Sequence, residues 1–178
     1  MTGWRPGDPR ADSASMVRVD QAGEYGATRI YAGQPAVLRA NCPEAKLISR
    51  MAAQERRHLA RFDRLMAERR VRPTLLQPLW NVAGFALGAA TALMSEQAAL
   101  ACTDAVETEI DRHYGRQLED LGDDDPELAR DIAEFRAEEL EHRDSARDAG
   151  ATRAVGYPLL TAAIRGGCKA AIALSKRI

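Results

Sequence analysis

Residues 135–144 read "FRAEELEHRD", a run charged enough to pass for a solvated helix face. The apolar stripe of a helix nevertheless passes straight through it. Leu128, Ile132, Phe135, Glu139, His142, Ala146 and Ala149 follow one another by alternating steps of four and three residues, the seam of a helix packed in a bundle. Glu139 and His142 therefore stand where apolar residues belong. An ionised carboxylate buried alone costs several kcal/mol, so both are expected to be paired, neutralised or bound to a metal.

The same anomaly occurs upstream. Ile48, Met51, Glu55, His58, Phe62 and Leu65 form one stripe, and the "ERRH" within it again sets a His three residues after a Glu. Three residues are about 300° of helical rotation, so the two side chains leave one face about a turn apart and can reach one ion. Two of the three histidines show this spacing, which argues against chance. The third, His113, is expected to pack or to hydrogen-bond.

Two further carboxylates complete a pattern. "GEYGATRIY" (23–31) and "VETEIDRHY" (106–114) align Glu24 with Glu107, Arg29 with Arg112 and Tyr31 with Tyr114. From Glu24 to Glu55 is 31 residues and from Glu107 to Glu139 is 32, so the chain repeats a helix pair. Glu107 lies on the stripe Leu100, Thr103, Glu107, Ile110, Tyr114 and points inward. Four Glu and two His, one Glu from each of two helices and Glu-x-x-His from each of the others, are the ligands of carboxylate-bridged dinuclear centres in ferritin-like four-helix bundles. One imidazole and one terminal carboxylate per metal, with two bridging carboxylates, balance two divalent cations, and oxygen-rich ligation favours iron or manganese. Gln54 and Glu138 immediately precede the paired glutamates and are placed to accept a hydrogen bond from the facing His. Tyr31 and Tyr114, two turns beyond Glu24 and Glu107, either line the pocket or fill the core.

The rest of the chain agrees with helix. Aromatic residues are 5% and hydrophobic residues 46%, without strand-like alternation, which predicts an all-α protein. Helices are expected from about Met16 to Ala40, Pro43 to Arg70, Ser95 to Leu121 and Pro126 to Ala149, with a last apolar helix in "YPLLTAAIRGGCKAAIALSKRI". Pro35 is expected to kink the first of them. Residues 1–15 read as a flexible arm before a single domain over 16–178. Lys+Arg 25 against Asp+Glu 26 gives a net charge of −1, which argues against nucleic acid as partner. Cys42, Cys102 and Cys168 are far apart and in no CxxC arrangement, so neither a disulfide framework nor a zinc ribbon is expected.

These runs resemble the demethoxyubiquinone hydroxylases of ubiquinone biosynthesis. The resemblance spans nearly the whole chain from Met16 and rests on "RVDQAGEYGATRIYAGQ", "RVRPTLLQPLWNVAGFALGAATAL", "ACTDAVETEIDRHY" and "FRAEELEHRD". The family's metal ligands fall on Glu24, Glu55, His58, Glu107, Glu139 and His142, the six reached from periodicity. The resemblance implies a di-iron monooxygenase that hydroxylates the ring of a polyprenylated demethoxyubiquinol with dioxygen. It implies NADH as electron source and a lipid-presenting partner from the ubiquinone-synthesis machinery. An iron-storage or peroxide-scavenging ferritin relative shares the ligands but normally lacks a long uncharged insertion between its helix pairs. A non-catalytic membrane-surface protein with charge-paired carboxylates is the other competing reading.

That insertion, 73–95, carries no charged residue. Its apolar part, 79–94, is short for a membrane span. Buried core, a true crossing and an interfacial segment are the three readings, and the interfacial one is preferred, with Trp80 and Phe85 as membrane contacts. The expected location is the surface of a membrane, the cytoplasmic face of a bacterial inner membrane or the matrix face of the mitochondrial one.

Overall fold

Caps and breakers written into the sequence set the helix ends in the computed structural model, which describes residues 11–177. Helix α1 spans Ser13–Gly33, α2 Pro43–Arg69, α3 Gln77–Met94, α4 Glu96–Leu121, α5 Pro126–Asp148 and α6 Tyr157–Ser175, with one 3-10 turn at Ala151–Arg153 before α6. Among the described residues there is no strand. Asp12 caps α1 by accepting from the Ser15 N–H at 3.0 Å, Ser95 caps α4 through Ala98 at 2.9 Å, and Asp125 caps α5 through Leu128 at 3.1 Å. Each satisfies a donor that the first helical turn leaves without a partner. Arg70, left-handed at φ 54°, ends α2, and Gly122 at φ 49° ends α4.

Three expectations are revised. The first helix stops at Gly33 rather than Ala40, because Pro35 has no N–H to continue the ladder; Pro35 ends the helix instead of kinking it. Residues 79–94 do not lead into the next helix. They belong to the separate helix α3, in whose first turn Pro78 sits, where a proline is tolerated, and a fully extended Ser95 divides it from α4. Of the arm expected over 1–15, residues 1–10 lie outside the described ones, and Ser13 to Ser15 are already helical.

Helices α1 and α2 pack as one pair and α4 and α5 as another. Across the bundle, α2 meets α5 through Arg57–Glu138, Arg61–Asp131 and Arg69–Asp125. Helix α3 lies on α1 and α6 lies on α4, so the repeat seen in the sequence extends to a third helix. The α1–α3 contact is backbone on backbone. A Cβ at Gly88 would stand 2.1 Å from the Ile30 carbonyl oxygen, one at Gly33 2.2 Å from that of Phe85, and one at Gly84 2.8 Å from that of Gly26; glycine alone fits there. One apolar cluster, with Ile48, Met51 and Leu100, fills one part of the bundle, and another, with Val17, Phe62, Leu65, Leu128, Ile132 and Phe135, fills a second. No described helix is long and apolar enough to cross a membrane.

Candidate metal centre

The heptad-like steps that put Glu55, His58, Glu139 and His142 on seams bring them face to face. All four are buried, as are Glu24 and Glu107. Ligand atoms of Glu24, Glu55, His58 and Glu139 lie within 4.8 Å of one another, and so do those of Glu55, Glu107, Glu139 and His142. Glu55 and Glu139 belong to both groups. The arrangement is thus two overlapping four-donor sites sharing two carboxylates, each completed by one terminal Glu and one His.

The imidazoles are held from outside. The Nε2–H of His58 donates to Glu138 Oε2 at 2.7 Å and that of His142 to Gln54 Oε1 at 2.9 Å. With Nε2 donating outward, Nδ1 points inward, and its lone pair becomes available once a cation replaces the proton there. Glu138 and Gln54 each reach across the bundle to the His of the other pair. Tyr31 and Tyr114 also have a definite place. The Tyr31 hydroxyl donates to Glu107 Oε1 at 2.6 Å, and the Tyr114 hydroxyl donates to Glu24 Oε1. Each phenol serves the terminal carboxylate of the other repeat, and both line the site.

Electrostatics couple these groups to one another. Burial, and then the neighbouring Glu139, push the carboxyls of Glu55 and Glu107 well above the ordinary carboxylate range. Burial raises Glu139 too. Burial alone would lower His58, but the facing carboxylates of Glu139 and Glu24 hold it up, at about 12. Glu55, Glu107 and Glu139, packed this closely, do not all ionise without positive charge among them.

The donor atoms meet the requirement of an ion more nearly than that of one another. His58 Nδ1 is 3.0 Å from Glu139 Oε1 and His142 Nδ1 is 3.1 Å from Glu55 Oε1, neither aligned as a hydrogen bond, although His142 Nδ1 does bond Glu139 Oε2 at 3.1 Å. Glu24 Oε2, both Glu55 oxygens, His58 Nδ1, Glu107 Oε2 and Glu139 Oε1 are buried without a hydrogen-bond partner. Unpaired buried acceptors are costly, and separations near 3 Å are those of neighbouring donors sharing one ion at roughly 2.1 Å. The residues fit a pair of divalent cations.

Beside the centre lies an apolar cavity of about 540 Å³ walled by α1, α3, α4 and α6. Gly23 and Val106, which line it, adjoin Glu24 and Glu107 in sequence. A Cβ at Gly23 or Gly26 would meet nothing within 4 Å, so these glycines leave the cavity wide. This chamber was not foreseen from the sequence; Gly23 and Gly26 inside an otherwise continuous helix were its one signal. Trp80 is half-buried and lines this chamber, its indole N–H donating to Ser175 Oγ at 3.1 Å. Phe85 is partly exposed on α3, with the Arg29 guanidinium 5.4 Å from its ring centre. His113 is a hydrogen-bonding core residue, as expected, paired with Asp20 at 2.9 Å; Gln117 donates to the same Asp20 oxygen at 2.8 Å. Cys42, Cys102 and Cys168 are all free.

The family pattern described as ubiquinone biosynthesis protein COQ7 matches residues 11–175. The chain is 54% identical over 175 residues to the 3-demethoxyubiquinol 3-hydroxylase of Rhodospirillum rubrum, covering 97% of this chain and 82% of that one. It is 50% identical over 173 residues to the human NADPH-dependent 3-demethoxyubiquinone 3-hydroxylase, mitochondrial, covering 95% and 79%. With the Saccharomyces cerevisiae 5-demethoxyubiquinone hydroxylase, mitochondrial, identity is 42% over 179 residues, covering 92% and 77%.

Proposed function

The chain belongs to the ubiquinone biosynthesis protein COQ7 family, and from that premise we propose that it is a 3-demethoxyubiquinol 3-hydroxylase working through two irons in a ferritin-like bundle. Glu24 and His58 would hold one iron and Glu107 and His142 the other, with Glu55 and Glu139 available to both. The observation that carries this reading is the set of buried carboxylate and imidazole atoms that face one another without a hydrogen-bond partner. When bound, iron supplies the redox chemistry by which one atom of dioxygen enters an electron-rich ring.

The residues around the centre prepare that step. Glu138 and Gln54 orient the imidazoles, and Tyr31 and Tyr114 hold Glu107 and Glu24 in place. The apolar walls of the cavity accept the quinol and its first prenyl units while excluding water. Gly23 and Gly26 give the ring room beside Glu24.

A reduced nicotinamide is the electron source. The human relative's name specifies NADPH where the sequence reading expected NADH, so NADPH is the first donor to test. A polyprenyl chain has to stay out of water, and α3 and α6 present apolar residues outward beside the cavity, among them Leu79, Val82, Phe85 and Leu159. This supports a peripheral seat on the membrane, with the polyprenyl quinol delivered from the bilayer or by a lipid-presenting partner. The seat is the cytoplasmic face of a bacterial inner membrane, or the matrix face in a mitochondrion.

The test is to measure iron in the purified protein and oxygen-dependent hydroxylation of a short-chain demethoxyquinol with a reduced nicotinamide. About two irons per chain and hydroxylated product are expected. A protein that stays free of iron after anaerobic loading would refute the metal reading, and one that binds iron but leaves the quinol unchanged would refute the substrate.

A further inference from the structure

The two halves of the centre match closely and then differ at one place that touches the imidazoles. Each terminal Glu accepts from a Tyr of the other repeat, and each His turns Nδ1 inward. Gln54 and Glu138 are equivalent in the repeat, each immediately preceding a shared Glu. One is a neutral amide and the other a carboxylate. His58 donates to Glu138 at 2.7 Å, whereas His142 donates to Gln54 at 2.9 Å.

A second break in the repeat falls on the same side. Asp20 lies four residues before Glu24, and the residue four before Glu107 is Thr103. Gln117 donates to Asp20 at 2.8 Å, while its repeat equivalent Gln34 is 3.5 Å from the Thr103 hydroxyl. A buried carboxylate thus stands one turn from Glu24 where a hydroxyl stands one turn from Glu107.

We infer that the two metal positions are unequal: the one bound through His58 holds a divalent cation more tightly than the one bound through His142, because Glu138 places a full negative charge behind its imidazole where Gln54 places only a dipole. This rests on the two-metal reading given above. An anionic acceptor draws the Nε2 proton toward itself and makes Nδ1 the stronger donor, and outer partners of this kind change metal affinity by about 10- to 100-fold. Arg57 also contacts Glu138, at 3.0 and 3.1 Å, and fixes its direction. Its side chain is 55% exposed, against 22% for Glu138 and 0% for His58. Water therefore screens Arg57 more than it screens the His58–Glu138 bond, and the sign stands. Glu138 and Gln54 are positioning residues, acting through the histidines.

The experiment is an anaerobic titration of the metal-free chain with ferrous iron, followed by calorimetry and by Mössbauer spectroscopy. Two binding steps about 10- to 100-fold apart are expected, with two distinct ferrous signals. Glu138→Gln should draw the steps to within a few-fold while leaving helical content unchanged. The exchange Gln54→Glu with Glu138→Gln should restore the gap with the order reversed: His142→Ala removes the weaker step from the natural chain but the tighter one from the exchanged chain. Equal steps in the natural protein, or a gap that neither replacement moves, overturn the inference while leaving the two-metal centre standing. Failure of the natural chain to bind any iron overturns both.

Discussion

Tyr114 and Tyr31 show how single side chains tune the centre. Burial first, then the adjacent carboxylate, raise both phenols well above their ordinary value, so each stays a neutral donor. Tyr114→Phe leaves Glu24 Oε1 without that donor. An unsatisfied buried acceptor costs about 1–3 kcal/mol, so the metal-free variant should unfold at lower urea concentration, and iron should recover part of the loss. Glu139→Ala removes a carboxylate shared by both donor groups. Bound iron should fall to one per chain or fewer and hydroxylation should stop, while circular dichroism still reports a helical protein; full turnover in this variant would refute the assignment. Gly26 faces open cavity, so Gly26→Leu is expected to raise KM for the quinol about tenfold or more without loss of iron, a reading taken from steady-state kinetics beside metal analysis.

Among the elements, α3 depends most on its glycines. Gly88→Ala drives a Cβ to 2.1 Å from the Ile30 carbonyl oxygen, and forcing α3 away from α1 costs about 1–3 kcal/mol. Gly166→Ala in α6 meets nothing within 4 Å and gains up to about 1 kcal/mol from helix propensity. Thermal melts should move in opposite directions for the two, and like shifts would contradict the packing described. Helix α5 begins on Asp125. Burial opposes ionisation there, but Arg69 and the Leu128 N–H outweigh it and hold the carboxyl below the ordinary 3.8. A depressed folded value contributes stability that is complete above the unfolded value and disappears as pH falls through the folded one. Asp125→Ala should therefore cost about 1 kcal/mol at neutral pH, and its difference from the natural protein should shrink in denaturation curves taken below pH 3.8.

For the molecule as a whole, the proposed membrane seat rests on the outward apolar residues of α3 and α6. Leu79 and Val82 are 52% and 68% exposed, so Leu79→Glu with Val82→Glu has little folded structure to disturb. Liposome sedimentation of this double variant should weaken markedly with its melting temperature kept, and activity should fall more on long-tailed than on short-chain quinols. Trp80→Ala belongs to another class. It removes a half-buried wall of the cavity and the bond to Ser175, so its melting temperature should drop even without a membrane. Unchanged liposome binding in the double variant would leave α3 and α6 as surfaces for something other than lipid.

Periodicity alone determined that Glu55, His58, Glu139 and His142 face inward, because a helix returns to one face every three or four residues whatever surrounds it. The repeat of Glu24 and Glu107 was legible for the same reason, as were the ends of α2 and α5, where prolines and capping residues act locally. Tertiary structure decided what depends on a second helix. That Tyr114 reaches Glu24 and Tyr31 reaches Glu107, that Trp80 bonds Ser175, and that Asp20 pairs with His113 and Gln117 are contacts between residues more than 70 positions apart. Spacing along one helix carries no record of them. The cavity was hidden for the same reason: it is a space left between four helices, and no single stretch of chain contains it.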